Sequence, residues 1–208
     1  PGELPRPGVG RGLPRARSLV RCDAPENAGT FVLGLSADQQ SKIVRSVTPS
    51  GVTSDATLAP ADVRIFAVSC DAKAAAVAVG RPGTRDVQLF TCAYLGECAS
   101  TPLPRFGRAG PPARFPLDVA RVHGATLVAV PMHGIVRVAS SRDDGATWTP
   151  FTVAFDAAAH PELLFDASVP DRLFVTGRRA LLYGVPTRSS GAFPLLASDD
   201  GGASWRAP

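Results

Sequence analysis

The chain has 208 residues, enough to bury a substantial core, and 45% of them are hydrophobic. No apolar run approaches the roughly twenty residues that a membrane-crossing helix needs, so no membrane span is expected. The net charge of +4 is carried almost wholly by scattered arginines without interleaved aromatics, which argues against nucleic acid as a partner and for a solvated basic surface.

Short alternating apolar runs between turn signals dominate, with 20 Gly and 20 Pro, and this pattern predicts an all-β protein. Residues 1–20 are rich in Pro, Gly and Arg and read as an extended or poorly ordered lead-in. A strand is expected over Phe31–Leu35, followed by a turn at Ser36–Gln40 and a run at Ile43–Val47. Val63–Val68, Ala74–Val79 and Val87–Thr91 come next as three strands. Leu117–Val122, Leu127–Val130 and Ile135–Ser140 form another three, separated by His123-Gly124 and His133-Gly134 turns. A fourth strand is expected from Trp148 to Val153. Leu163 to Gly177 reads as two strands around an acidic Pro-containing turn, with Leu181–Tyr183 continuing the unit. A Pro/Ser/Gly insertion, 186–191, precedes a last strand at Leu195.

One pattern occurs twice. Ser141-Arg142-Asp143-Asp144-Gly145-Ala146-Thr147-Trp148 returns as Ser198-Asp199-Asp200-Gly201-Gly202-Ala203-Ser204-Trp205. The first copy lies between apolar runs, as a hairpin turn does, and the second follows one. Gly145 and Gly202 supply the positive φ that a tight turn requires. Asp143 and Asp200 are placed to accept backbone N–H groups of their own turns. Trp148 and Trp205 would fold beneath the turn, each indole N–H needing one acceptor. Asp144 and Asp199 read as solvated turn acids.

Both copies resemble the Asp box, or BNR repeat, of sialidases, xyloglucanase-type glycosidases and sortilin-like receptors. The resemblance implies an Asp-box β-propeller in which the box joins the third and fourth strands of a blade, away from the ligand site. Ser141, Asp143, Gly145 and Trp148, with Ser198, Asp200, Gly202 and Trp205, would then be structural. Turn starts at Ser36, Cys92, Ser141 and Ser198 are separated by 56, 49 and 57 residues, a blade-like period. Ser36 opens a decayed box, with Gln40 in place of the glycine and Ile43 in place of Trp. Blades are expected at about 21–58, 59–108, 109–157 and 158–208. Three to four four-stranded blades are fewer than a complete ring of this family, so an incomplete propeller or a fragment is expected, its remaining blades supplied by a longer chain or by another chain, with a closed four-bladed ring as the alternative.

Four cysteines are present, and no metal site is expected, because their spacing with His123, His133 and His160 does not suit zinc. Laid over the first box, Cys92 falls on Ser141 and Cys98 on Thr147. A disulfide across the neck of a hairpin is expected there, with two free buried thiols as the alternative. Cys22 and Cys70 would pair by elimination. Such cysteines point to a secreted, periplasmic or cell-surface protein. The chain begins at Pro1 without Met, as if a leader had been removed or the sequence were partial.

Catalytic residues of a sialidase-like enzyme do not carry over. Arg64-Ile65-Phe66 lacks the family's proline, and Tyr94 and Tyr183 have no evident glutamate partner, Glu162 being nearest to Tyr183. Asp118 and Asp166 remain as a candidate carboxylate pair on first strands, and each is equally explained as a strand-end acid. No cofactor fingerprint is present. The expected function is recognition of a glycan or an extracellular protein without catalysis in this stretch. The alternatives are part of a glycoside hydrolase, sialidase-like or xyloglucanase-like, and a structural extracellular repeat.

Overall fold

The computed structural model of the chain describes residues 18–21, 29–81, 87–103, 118–122, 124–132, 135–156, 158–159, 172–176, 179–183 and 195–207. Among these there is no helix. The strands form four antiparallel sheets, each a simple meander in chain order. The first holds β1 (Ser18–Arg21), β2 (Thr30–Leu35), β3 (Ser41–Val47) and β4 (Thr53–Pro60). The second holds β5 (Arg64–Cys70), β6 (Ala74–Gly80), β7 (Val87–Ala93) and β8 (Cys98–Pro102). The third holds β9 (Asp118–Val122), β10 (Ala125–Met132), β11 (Ile135–Ser141) and β12 (Thr152–Asp156). The fourth holds β13 (Arg172–Thr176), β14 (Arg179–Tyr183) and β15 (Leu195–Ser198). After β15, Ala197 pairs with Arg206 through two backbone hydrogen bonds of 2.8 and 3.0 Å, the beginning of a fourth-strand pairing.

The packing explains the composition. Every residue of β6, Ala-Ala-Ala-Val-Ala-Val-Gly, is buried, because both faces of the second sheet are covered. Small side chains let the neighbouring sheets approach on both sides. Phe31, Leu33 and Val44 of the first sheet meet Ala75, Val77 and Val79 of the second. Ala76, Ala78 and Leu89 of the second meet Val119, Val128 and Val130 of the third. Leu127, Val136 and Phe155 of the third meet Ala180, Leu182 and Leu196 of the fourth. The first strands of successive sheets, β5, β9 and β13, lie side by side, as strands do near the axis of a radial array. Packed cores among the described residues join consecutive sheets and do not close a ring, so the fold is an incomplete β-propeller.

Several elements differ from the sequence expectation. β1 starts at Ser18, inside the expected lead-in. β4 and β8 were not expected: Thr-Ser-Asp-Ala-Thr and Cys-Ala-Ser-Thr-Pro are polar or small, and cross-strand pairing rather than an apolar pattern makes them strands. β12 begins at Thr152, not Trp148, because Trp148 leaves the strand path to pack on the second sheet. Among the described residues the strand at 172–176 is the first of its sheet, and Leu163–Asp166, where an earlier strand is expected, lie outside the described residues.

The Ser36 turn joins the second and third strands of its sheet, at the end opposite to the two Trp-bearing turns. The true third-to-fourth connection there is Thr48–Val52, where Val52 N donates to Thr48 Oγ1 at 2.9 Å and Gly51 has φ 86°. The apparent spacing from Ser36 to Cys92 therefore compared turns at opposite ends of the sheets.

Candidate functional site

Each sheet has two ends, and they differ in chemistry. At one end lie the turns between third and fourth strands, here called corners. Ser141 Oγ donates to Asp143 Oδ1 at 2.7 Å and accepts Gly145 N at 2.7 Å. Thr147 N reaches Asp143 Oδ1 at 2.9 Å, and Thr147 Oγ1 donates to Asp143 Oδ2 at 2.5 Å. The last corner repeats this with Ser198, Asp200, Gly202 and Ser204 at 2.6–3.0 Å. Both oxygens of each carboxylate are occupied by the turn itself. These donors favour the charged form, the Thr147 hydroxyl most for Asp143 and the Ser204 hydroxyl most for Asp200, and hold both well below the usual value of 3.8, at about 2.

A depressed folded-state pKa contributes stability above the unfolded value that disappears as pH falls through the folded one. Chemical denaturation at stepped pH should therefore show a loss of stability between pH 4 and pH 2. Asp143→Asn combined with Asp200→Asn should flatten that slope. An unchanged slope in the double variant would assign the acid sensitivity elsewhere.

The corners also hold the sheets together. Gly145, at φ 95°, lies against Leu89 and Thr101 of the second sheet, and Thr91 Oγ1 donates to Asp144 O at 3.2 Å. Gly202, at φ 90°, lies against Leu127 and Val138 of the third sheet. Trp148 packs into the junction of second and third sheets, and Trp205 into that of third and fourth. Trp205 Nε1 donates to Gly202 O at 3.2 Å. The buried Trp148 Nε1 finds no acceptor among the described residues, contrary to expectation, because Trp148 inserts among apolar side chains. Asp199 is not a free solvated acid either: Arg179 and Arg206 pair with it at 2.6 and 2.7 Å and lower its pKa, Arg206 most.

The second sheet has a covalent corner. Cys92 and Cys98 are cross-strand partners of β7 and β8, and a disulfide joins them. The enclosed turn reaches the first sheet, where Tyr94 Oη donates to Val47 O at 3.0 Å and Leu95 N to Ser46 Oγ at 3.3 Å. Tyr94 also stands edge-on to Phe31, with ring centres 5.7 Å apart, which makes it a packing residue. Cys70 is disulfide-bonded, and Cys22 lies outside the described residues. Replacing Cys92 and Cys98 by serine should cost about 2 kcal/mol, the loop-closure value for so short a link. Urea titration of the double variant checks this, and equal midpoints would show that the hairpin is held without the bond.

Arg121 is the residue that the sequence reading missed. Unlike the solvated arginines that the composition suggests, it has only 3% of its side chain exposed. From β9 its Nε donates to Asp71 Oδ2 at 3.0 Å, and its Nη1 to Asp144 Oδ1 at 2.8 Å and Thr126 Oγ1 at 3.2 Å. Its backbone N donates to Ser69 Oγ at 3.0 Å. Asp144, which has a positive φ of 55°, is thus an ion-pair partner rather than a free turn acid. Asp71 in turn accepts Lys73 N and Ala74 N, so one arginine ties together turns of two sheets. An arginine inside the apolar strand Val119-Ala120-Arg121-Val122 was the available signal.

The opposite end carries the turns between second and third strands and the links between sheets. Ser36 Oγ contacts Asp38 Oδ1 there, Gln40 N donates to Asp38 at 3.1 Å, and residues 37–40 are exposed. Arg64, exposed at the start of β5, lies 5.8 Å from the centre of the Phe66 ring. Asp118, at the start of β9, accepts Val119 N at 3.0 Å. Asp166, Glu162 and His123, His133 and His160 lie outside the described residues, and Tyr183 falls on β14. Among the described residues no three His, Cys, Asp or Glu side chains are grouped to hold a metal. A cleft of about 350 Å³ opens at this end between the first and second sheets.

No protein-family model matches the chain, and no curated protein matches it. Solved structures do. A subtype N10 neuraminidase-like protein of A/little yellow-shouldered bat/Guatemala/060/2010 aligns with a TM-score of 0.51 at 12% identity, over 93% of this chain and 59% of that one. A prolyl endopeptidase aligns with a TM-score of 0.52 at 11% identity, over 93% of this chain and 28% of that one. An α-L-arabinofuranosidase of Clostridium thermocellum gives 0.48 at 10% identity, over 91% of this chain and 70% of that one. At these identities the likeness is one of fold: the chain is a β-propeller segment spanning about three fifths of the neuraminidase-like protein.

Proposed function

We propose that the chain is part of an extracellular Asp-box β-propeller that binds a glycan at the end opposite its corners, without catalysis by the residues described. The observation that carries this reading is the saturation of Asp143 and Asp200 by their own turns. Carboxylates so engaged are structural and free neither to transfer protons nor to hold a ligand. The repeated acids of the sequence thus belong to the scaffold, and recognition falls to the opposite end, with its exposed polar turn and open cleft. The Cys92–Cys98 disulfide supports an oxidising compartment.

A glycoside hydrolase segment is the second reading, favoured by the fold shared with a neuraminidase-like protein. A glycan array probed with the full chain, run beside fluorogenic sialosides, arabinofuranosides and β-glucans, separates the two. Retention on the array without turnover is expected. Turnover would replace binding by hydrolysis, and neither retention nor turnover on any glycan would remove both.

A further inference from the structure

The cleft between the first and second sheets is lined by Leu58, Pro60, Val63, Arg81, Gln88 and Phe90, among others. Leu58 and Pro60 come from the end of β4, and Val63 from the link to the second sheet. Arg81 follows β6, while Gln88 and Phe90 come from the start of β7. All of these positions lie at the end away from the corners. Gln88, Arg81 and Pro60 are exposed, Val63 and Phe90 are half-buried, and Leu58 is buried. The cleft therefore has an apolar floor and a polar rim.

Among the described residues its charge is balanced. Arg81 Nε lies 3.5 Å from Asp62 Oδ2, and both side chains are about two-thirds exposed. The rim thus offers a guanidinium and a primary amide, with the Asp62 carboxylate beside the guanidinium, and together these donate and accept. An isolated arginine would select an anion; an arginine already facing an aspartate does not. A sugar ring has the complementary surface: one face of C–H groups and a belt of hydroxyls, each donor and acceptor. The volume of about 350 Å³ is at the small end of ligand sites and suits one ring rather than a bundle of chains.

We infer that this cleft is a subsite for one uncharged sugar ring, with Phe90, Leu58 and Val63 under its C–H face and Gln88 and Arg81 at its hydroxyls. This rests on the glycan-binding reading and gives it a place and a ligand class. The neighbouring turn extends the subsite. Gln40 O accepts Ala61 N at 3.0 Å, which pins the Ser36–Gln40 turn beside Pro60 and leaves Gln39 and Gln40 exposed for the next residue of an oligosaccharide.

Saturation-transfer NMR on the full chain with methyl glucoside, methyl galactoside and methyl arabinofuranoside, against methyl glucuronide and sialyllactose, tests the assignment. A neutral glycoside should bind, with affinity unchanged between low and high salt. Gln88→Ala, at an exposed position, should weaken it at least tenfold without moving the melting temperature, and Phe90→Ala should abolish it. If both variants bind as the native chain does, the subsite is elsewhere while glycan binding stands. Preference for the acidic glycosides, weakened by salt, would overturn the ligand class. Binding of no glycoside, with an empty glycan array, would overturn the subsite and the proposed function together.

Discussion

Arg121→Met should destabilise the protein by about 3 kcal/mol, near the low end of the cost of breaking a buried ion pair. The side chain is 3% exposed and answers two carboxylates and a hydroxyl. Its removal leaves Asp71, 22% exposed, without its cation at the junction of two sheets. Asp144 is 60% exposed and can recover water, so it adds little to the loss. Arg121→Lys should rescue only a minor part, because one ammonium cannot serve Asp71, Thr126 and Asp144 from separate nitrogens. Urea denaturation measures both variants. Adding Asp71→Asn to Arg121→Met should recover part of the loss, since the orphaned charge goes while an acceptor for Lys73 N and Ala74 N stays. A loss under about 1 kcal/mol in Arg121→Met would show that water already screens the pair.

The second large effect is expected at Gly145. A Cβ at this position would overlap Thr101 Oγ1 and meet Leu89 Cδ2 at 3.5 Å, on a backbone with φ 95°. Gly145→Ala should cost about 3 kcal/mol, combining backbone strain of about 1–3 kcal/mol with displacement of Thr101. Two controls divide the cost. Gly51 has φ 86°, and a methyl group there would meet nothing within 4 Å, so Gly51→Ala should report the backbone part alone. Thr101→Ala in the Gly145→Ala background should return the steric part. Because Thr101 Oγ1 is buried with no partner among the described residues, its own removal should be cheap. Equal losses at Gly51 and Gly145 would mean that the corner can lift from the second sheet freely.

Both expectations depend on contacts between sheets, and these were the least legible part of the sequence. The repeated Ser-x-Asp-x-Gly-x-(Thr/Ser)-Trp pattern was readable because its hydrogen bonds close within a few residues. Asp143 reaches only Ser141 and Thr147, and Asp200 only Ser198 and Ser204, among the contacts of their side chains described above. Cys92 and Cys98 were readable for the same reason. β4 and β8 were not, since an outer strand needs no continuous apolar face and is defined by the partner beside it. Ser36 misled because a local turn motif carries no information about which end of a sheet it occupies.

By itself, then, the amino-acid order determined the strand-rich class, the two acid–glycine corners and the cystine link: all are set by backbone preference and hydrogen bonding over short chain distances. Tertiary structure alone decided that Arg121 is buried, that Asp144 is its counter-ion, that each corner rests on the preceding sheet, and that Leu58 and Phe90 share a cleft. Those relations join residues tens of positions apart. Their energy comes from removing surfaces of different sheets from water at once, and no short window of sequence contains both surfaces.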